Sequence, residues 1–320
     1  MRNSLLAVAL LLASLGIQAE ENVVTTTTQP QSSTSVTFAY EAGAELVSTY
    51  IWRGQYTGGL SIQPDFEIGY DGKNTAFRFG VWGSFGASDW KFAKGKEFGY
   101  DEDGEMYNLN TFFVPEVNIF ASFSFFGAHI GTTHLDYFTF DPNTKKYDYT
   151  YNWEFEAGYD FGELLDFPLY INWYTNIGLP NNKTNCDFIY DEVEVKDAHG
   201  NLILDEDGEP IMEETQKRAW SSYLEIGYTH TFPYDITLDG KIGMSPWRSD
   251  DVYMNQKFAV INLSLRLEKE WEFDACTLTL FGEGSLNPDL ESNKIILNTA
   301  GTEKQYLQPL SGNIGLGVWF

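Results

Sequence analysis

Residues 151–161, YNWEFEAGYDF, change character at every step. Tyr151, Trp153, Phe155, Ala157, Tyr159 and Phe161 are apolar; Asn152, Glu154, Glu156, Gly158 and Asp160 between them are polar or glycine. Successive side chains of a strand point to opposite faces, so this segment has one face for an apolar medium and one for a polar medium. A helix would scatter both sets around its surface. The same two-residue period returns in 60–70, 77–82, 169–177, 224–229, 236–242 and 313–320. It returns again in 261–268, where Ile261, Leu263, Leu265 and Leu267 oppose Asn262, Ser264, Arg266 and Glu268.

A soluble sandwich also alternates, so strand length and connection length decide. The runs reach about 9–12 residues, close to the 9–11 that a tilted membrane strand needs, whereas soluble strands centre on about 5–6. Twelve strands are expected, at 43–55, 60–70, 75–86, 110–123, 127–138, 150–161, 168–179, 219–232, 235–245, 257–269, 275–284 and 307–320. The joints at 71–74, 124–126, 162–167, 233–234 and 270–274 are tight. Those at 87–109, 139–149, 180–218, 246–256 and 285–306 are long, and only the first joint on that side, 56–59, is short. Tight turns alternating with long loops are the layout of outer-membrane barrels. The expected fold is all-β: a transmembrane antiparallel up-and-down β-barrel of about 12 strands, with both termini on the periplasmic side. The count becomes 14 if a hairpin within 186–218 enters the wall.

The ends of the chain agree with export to that site. Arg2, the apolar run Leu5–Leu15 and the Ile17-Gln18-Ala19 segment before Glu20 read as a signal peptide over 1–19. The apolar core is too short to span a bilayer as a helix. Residues 20–42, rich in Thr, Ser and Gln, read as a flexible linker, with a short strand near Val36–Tyr40 as an option, and 43–320 as the barrel. Tyr50, Trp52, Tyr70, Trp153, Tyr159, Phe161, Trp173, Trp220 and Phe232 fall near strand ends, where aromatic girdles meet lipid headgroups. Phe320 closes the last alternating strand and is the kind of terminus that barrel-insertion machinery reads. Membrane lipid and that machinery are the expected partners. A net charge of −26 argues against nucleic acid as a partner.

The polar parity assigns a set of lumen-lining residues: Glu45, Arg53, Asp65, Glu67, Arg78, Glu116, Glu154, Glu156, Glu225, Asp239, Lys241 and Arg266. His129, Asp160 and Glu268 share it. Buried charges need partners, so each arginine and lysine is expected to face carboxylates. Acids outnumber bases, so an open lumen would favour neutral or cationic solutes over anions.

Catalysis has little to work with. His129 and His134 are five apart, have opposite parity and cannot converge on one metal. His134 and Asp136 share a face, but spacing places no nucleophile beside them. No catalytic residue, metal site or cofactor is assigned, and the chain is not expected to be an enzyme. Residues 186–218 carry eleven acids against Lys196, Lys217 and Arg218, and the string DEDGE occurs at 101–105 and 205–209. Asp-Gly turns with solvated acids account for these without a bound cation. Alternation in 188–195 and 201–204 points to a separate hairpin above the membrane. Cys186 in that loop and Cys276 after a periplasmic turn are on opposite sides of the bilayer, too far apart for a disulfide.

The segment Ser48-Thr49-Tyr50-Ile51-Trp52-Arg53-Gly54-Gln55, followed by Gly58-Gly59, Gln63 and Gly69-Tyr70, resembles the opening hairpin of the TorF-like family of porins. The likeness covers about 25 residues. It implies an outer-membrane barrel with porin-like behaviour and no particular substrate, and it makes Arg53 and Gly54 a structural lumen pair. The long acidic loop is a departure from the family's layout. The expectation is a narrow passive channel for small neutral or cationic solutes. The alternatives are a closed structural or surface-binding barrel, with Arg53 and Arg78 fully paired, and, more remotely, a barrel hydrolase built on His134.

Overall fold

The computed structural model describes residues 37–86, 98–100, 106–108, 116–141, 146–165, 167–177, 187–197, 199, 201–205, 208–289, 295–297, 304–306 and 309–320. The segment expected to be a signal peptide, the first part of the expected linker, Cys186 and the acidic string at 101–105 lie outside them, as do two residues of the string at 205–209.

Among the described residues twenty strands follow one another: β1 (Thr37–Val47), β2 (Tyr50–Trp52), β3 (Gln55–Gly58), β4 (Ser61–Asp71), β5 (Thr75–Gly86), β6 (Phe98–Tyr100), β7 (Met106–Asn108), β8 (Glu116–Phe125), β9 (Ala128–Asp141) and β10 (Lys146–Asp160). After one helical turn, Gly162–Leu165, come β11 (Leu169–Asn176), β12 (Phe188–Glu194), β13 (Met212–Arg218), β14 (Ser222–Phe232), β15 (Ile236–Ser245), β16 (Ala259–Glu272), β17 (Thr277–Leu286), β18 (Ile295–Leu297), β19 (Lys304–Tyr306) and β20 (Leu310–Trp319).

Twelve of these close into one antiparallel barrel: β1, β4, β5, β8, β9, β10, β11, β14, β15, β16, β17 and β20, each paired with its neighbours along the chain. β1 completes the ring by pairing with β4 on one side and β20 on the other. Closure leaves no open edge, so the backbone groups of every wall strand can be paired within the sheet. β12 and β13 form a sheet of their own outside the wall, so the barrel has twelve strands and not fourteen.

The outer face is apolar on strand after strand. Phe66, Phe79, Ile130, Leu265, Leu280 and Ile314 point outward and are exposed. A soluble protein would cover side chains of this kind, whereas hydrocarbon solvates them.

Four expectations need correction. The first strand begins at Thr37, inside the segment 20–42 expected as a linker, because Phe38 and Tyr40 continue the outward row and the strand pairs with β4 from Thr37 to Val47. It also stops at Val47. Residues 50–58, expected to be the end of that strand and a short joint, make the separate hairpin β2–β3. Tyr50 and Trp52 therefore belong to this hairpin and not to an outer aromatic girdle. The joint expected at 139–149 shrinks to 142–145 because β9 and β10 stay paired up to Asp141 and Lys146. Finally, Ile261 does not join the outward row. A bulge shifts the β15–β16 register between Gly243 and Met244, so Ile261 becomes the extra residue and is fully buried.

Candidate functional site

The interior has two unlike halves. Toward the rim with short turns, charged side chains line the wall and keep part of their surface: Arg78 is 27% exposed and Lys241 29%. Toward the rim with long loops, the inward residues Ser61, Ser84, Glu116, Asn152, Glu154, Tyr223, Ile261 and Asn262 are buried. The hairpin β2–β3, folded into the barrel from between β1 and β4, reaches this second half and touches Glu116, Glu154 and Tyr223 on its wall.

The tip of the hairpin explains its position. Arg53 and Gly54 have φ of 48° and 81°, the pair of positive angles that a two-residue type I′ turn requires. Gly54 fits because a Cβ there would lie 2.1 Å from the Ile261 carbonyl oxygen on β16, across the lumen. Arg53 has no such freedom, and its left-handed backbone is held by what its side chain does. Its Nη1 donates to Glu154 Oε2 at 2.5 Å and to the Tyr253 hydroxyl at 2.8 Å; its Nη2 donates to Glu154 Oε1 at 2.8 Å. The guanidinium carbon lies 4.1 Å from the centre of the Tyr174 ring, 4.8 Å from Tyr223 and 4.7 Å from Trp52. A bidentate carboxylate compensates the buried cation. Desolvated cation–π contacts add about 2 kcal/mol.

Other contacts brace the hairpin. The Tyr50 hydroxyl donates to Glu116 Oε2 at 2.9 Å, and its ring meets Trp82 at 5.6 Å. Gln55 Nε2 donates to the Val252 carbonyl at 2.9 Å. Trp52 stacks on Tyr253, and Tyr253 stacks on Tyr223. Tyr223, Tyr253, Ala259 and Ile261 form a small apolar core inside the barrel, where a polar lumen was expected. Period-two reading misses it: Tyr253 comes from a loop, and Ile261 is turned inward by the bulge.

The remaining residues assigned by polar parity all lie on the inner wall. Arg266 Nη2 pairs with Glu45 at 3.2 Å and with Glu268 at 2.5 Å, and its guanidinium sits 3.5 Å from the Phe281 ring centre. Arg78 pairs with Glu67 at 2.8 Å and with Asp71 at 2.6 Å near the short-turn rim. Lys241 is 3.9 Å from Asp239, which accepts from Thr229. His129 meets Glu156 at 3.1 Å, and Glu225 accepts from Tyr223 at 3.0 Å. Asp65 faces the same space, and Asp160 caps the Gly162 amide at the rim.

His134 and Asp136 do form a contact, Nδ1 to Oδ1 at 3.2 Å, but on the outer face. Their cross-strand neighbours are Ile119 and Val117 on β8 and Trp153 and Tyr151 on β10. Thr132, on the same face of β9, donates its hydroxyl to the Glu154 carbonyl. No serine or cysteine stands at these positions to serve as a nucleophile.

Above the long-loop rim, the β12–β13 hairpin is latched onto loop 246–258. Arg248 bonds Asp191 at 2.5 Å and Asp250 at 2.6 Å. The amides of Phe188 and Tyr190 donate to Asp251 and Asp250. Hydrogen bonds from Lys217 and then Arg248 hold the Asp191 carboxyl below the usual carboxylate range. Burial pushes Asp250 up, but its bonds from Arg248 and the Tyr190 amide outweigh that and hold it low. Burial raises Asp187 and Asp251.

No family model matches the chain, so the likeness to the TorF-like family rests on residues 48–70 alone. No curated protein matches it. Similar solved structures are outer-membrane proteins. The P. putida toluene transporter TodX is 11% identical, with 88% of this chain and 89% of that one covered and a TM-score of 0.38. Outer membrane phospholipase A from Escherichia coli is 8% identical over 88% and 91%, with a TM-score of 0.35. A Pseudomonas aeruginosa FadL homologue is 8% identical over 89% of each, with a TM-score of 0.36. Likeness this loose transfers no chemistry. The barrel assignment rests on this chain's own closed sheet.

Proposed function

We propose that the protein is an outer-membrane β-barrel that acts as a narrow passive channel for small neutral or cationic solutes. With the β2–β3 hairpin folded inward, the channel is closed. The short-turn rim faces the periplasm and the long loops face outward. The observation that carries this reading is the half-open interior. A charged, solvent-accessible vestibule with more acids than bases leads up to a plug, and the plug is a loop rather than wall. A barrel serving only as a structural wall has no need of such a vestibule. Its carboxylates favour cations and repel anions.

A second reading, a closed structural or surface-binding barrel, is favoured by the full pairing of Arg53 and Arg78. Liposome swelling with small neutral sugars, together with reversal potentials in a KCl gradient, separates the two. The channel reading expects slow sugar entry and a cation-selective potential, both enhanced in Arg53→Gly. If correctly folded wild type and Arg53→Gly both fail to pass sugar or ions, the barrel is closed and the second reading stands.

A further inference from the structure

We propose that the space now filled by the Arg53 guanidinium is a binding site for guanidinium-bearing organic cations, which replace Arg53 there when the hairpin withdraws. This deepens the channel reading and rests on it: the hairpin must leave the lumen for a solute to arrive.

The receiving side of the site does not belong to the hairpin. Glu154 is on β10, Tyr174 on β11, Tyr223 on β14 and Tyr253 in loop 246–258, so the carboxylate, the phenol and two of the three aromatic faces stay behind when Arg53 moves out. Only Trp52 leaves with it. Ring faces around a bidentate carboxylate are a recognition set for a flat, delocalised cation; a compact hydrated ion cannot use the rings and the two-oxygen fork together.

Withdrawal also creates the demand for such a ligand. Glu154 would lose its only ion-pair partner among the described residues, and Glu116, equally buried, would lose the Tyr50 hydroxyl. A buried carboxylate left without compensation is strongly unfavourable. A guanidinium solute restores the pair, a neutral solute does not, and an anion worsens it. Arg53 thus acts as a tethered stand-in for the solute. Entry of the solute and withdrawal of the hairpin are linked, because both cations need the same carboxylate.

The test uses full-length protein refolded in detergent, with barrel formation checked by heat-modifiable gel mobility. Arg53→Gly empties the site and keeps the left-handed turn, because glycine tolerates a φ of 48°. Methylguanidinium chloride at low millimolar concentration should raise the unfolding midpoint of Arg53→Gly by several degrees, with no comparable rise from equimolar NaCl. The wild type, with its site filled, should respond weakly. Arg53→Gly/Glu154→Gln should lose the response, and Arg53→Gly/Tyr174→Leu should weaken it several-fold while keeping the carboxylate. Equal responses to the two salts, or an undiminished response in both double variants, overturn the proposal. Because binding is read without any flux, the two readings fail separately. Binding without conductance removes the channel and leaves the site; conductance without binding does the reverse.

Discussion

Arg53 and Glu154 hold the plug in place, and their worth is measurable as a pair. Removing one member of a buried ion pair leaves the other charged and desolvated, which costs about 3–5 kcal/mol. Glu154→Gln should destabilise the barrel by that order in urea unfolding. In the double-mutant cycle with Arg53→Gly, the combined loss should fall well short of the two single losses together, since each single change already breaks the same contact. Strictly additive losses would show that the pair is not coupled. At this scale the sequence was informative about destination and silent about route. The polar parity and the family likeness both put Arg53 in the lumen. Neither indicated that it arrives on an infolded loop, because Tyr50-Ile51-Trp52 has the aromatic and β-branched residues that wall strands also favour. Ile261 was misread for a related reason: a bulge changes which face a residue occupies without changing the letters around it.

At the scale of elements, the outward rows and the surface hairpin each make a prediction. Leu265 lies midway along β16 on the outer face. Placing a charge there sets it against hydrocarbon, so Leu265→Arg should cost about 2–4 kcal/mol in equilibrium unfolding from lipid vesicles. No loss in lipid would mean that this face is not lipid-facing. The β12–β13 hairpin is held to loop 246–258 through Arg248 and its carboxylates. Asp191 and Asp250 have folded-state values below the ordinary one, so their contribution is complete above about pH 4 and is lost as the pH falls through the lowered values. The opposing pair, Asp187 and Asp251, is raised by burial, so acidification favours their folded state. Limited proteolysis across pH 7 to 3 should show the hairpin protected down to about pH 4 and released below it, and Asp191→Asn should remove much of that step. Release already near pH 6 would contradict the assignment. The alternation in 188–195 anticipated this hairpin, but its docking was not legible, because it depends on contacts with residues some sixty positions away.

At the scale of the whole molecule, strand period, strand length and the rhythm of the connections sufficed for a closed twelve-stranded barrel, because each wall strand must satisfy the same two solvents. The state of the lumen was not legible. Whether a barrel conducts depends on what its loops do inside it, and a loop that folds inward obeys packing and charge pairing rather than any period. The wall charges that looked like a pore lining are in part a scaffold of ion pairs, such as Arg266 with Glu45 and Glu268, and in part the seat of the plug. In the proposed channel, the β2–β3 hairpin sits in the lumen and closes the long-loop half. Single-channel recording in planar bilayers, comparing wild type with a variant in which residues 50–58 are replaced by a short Gly-Ser joint, tests it most directly. A hairpin seated in the lumen gives rare, small steps for the wild type and large, long-lived, cation-selective openings for the variant. Indistinguishable conductance in the two, with both correctly folded, would contradict it.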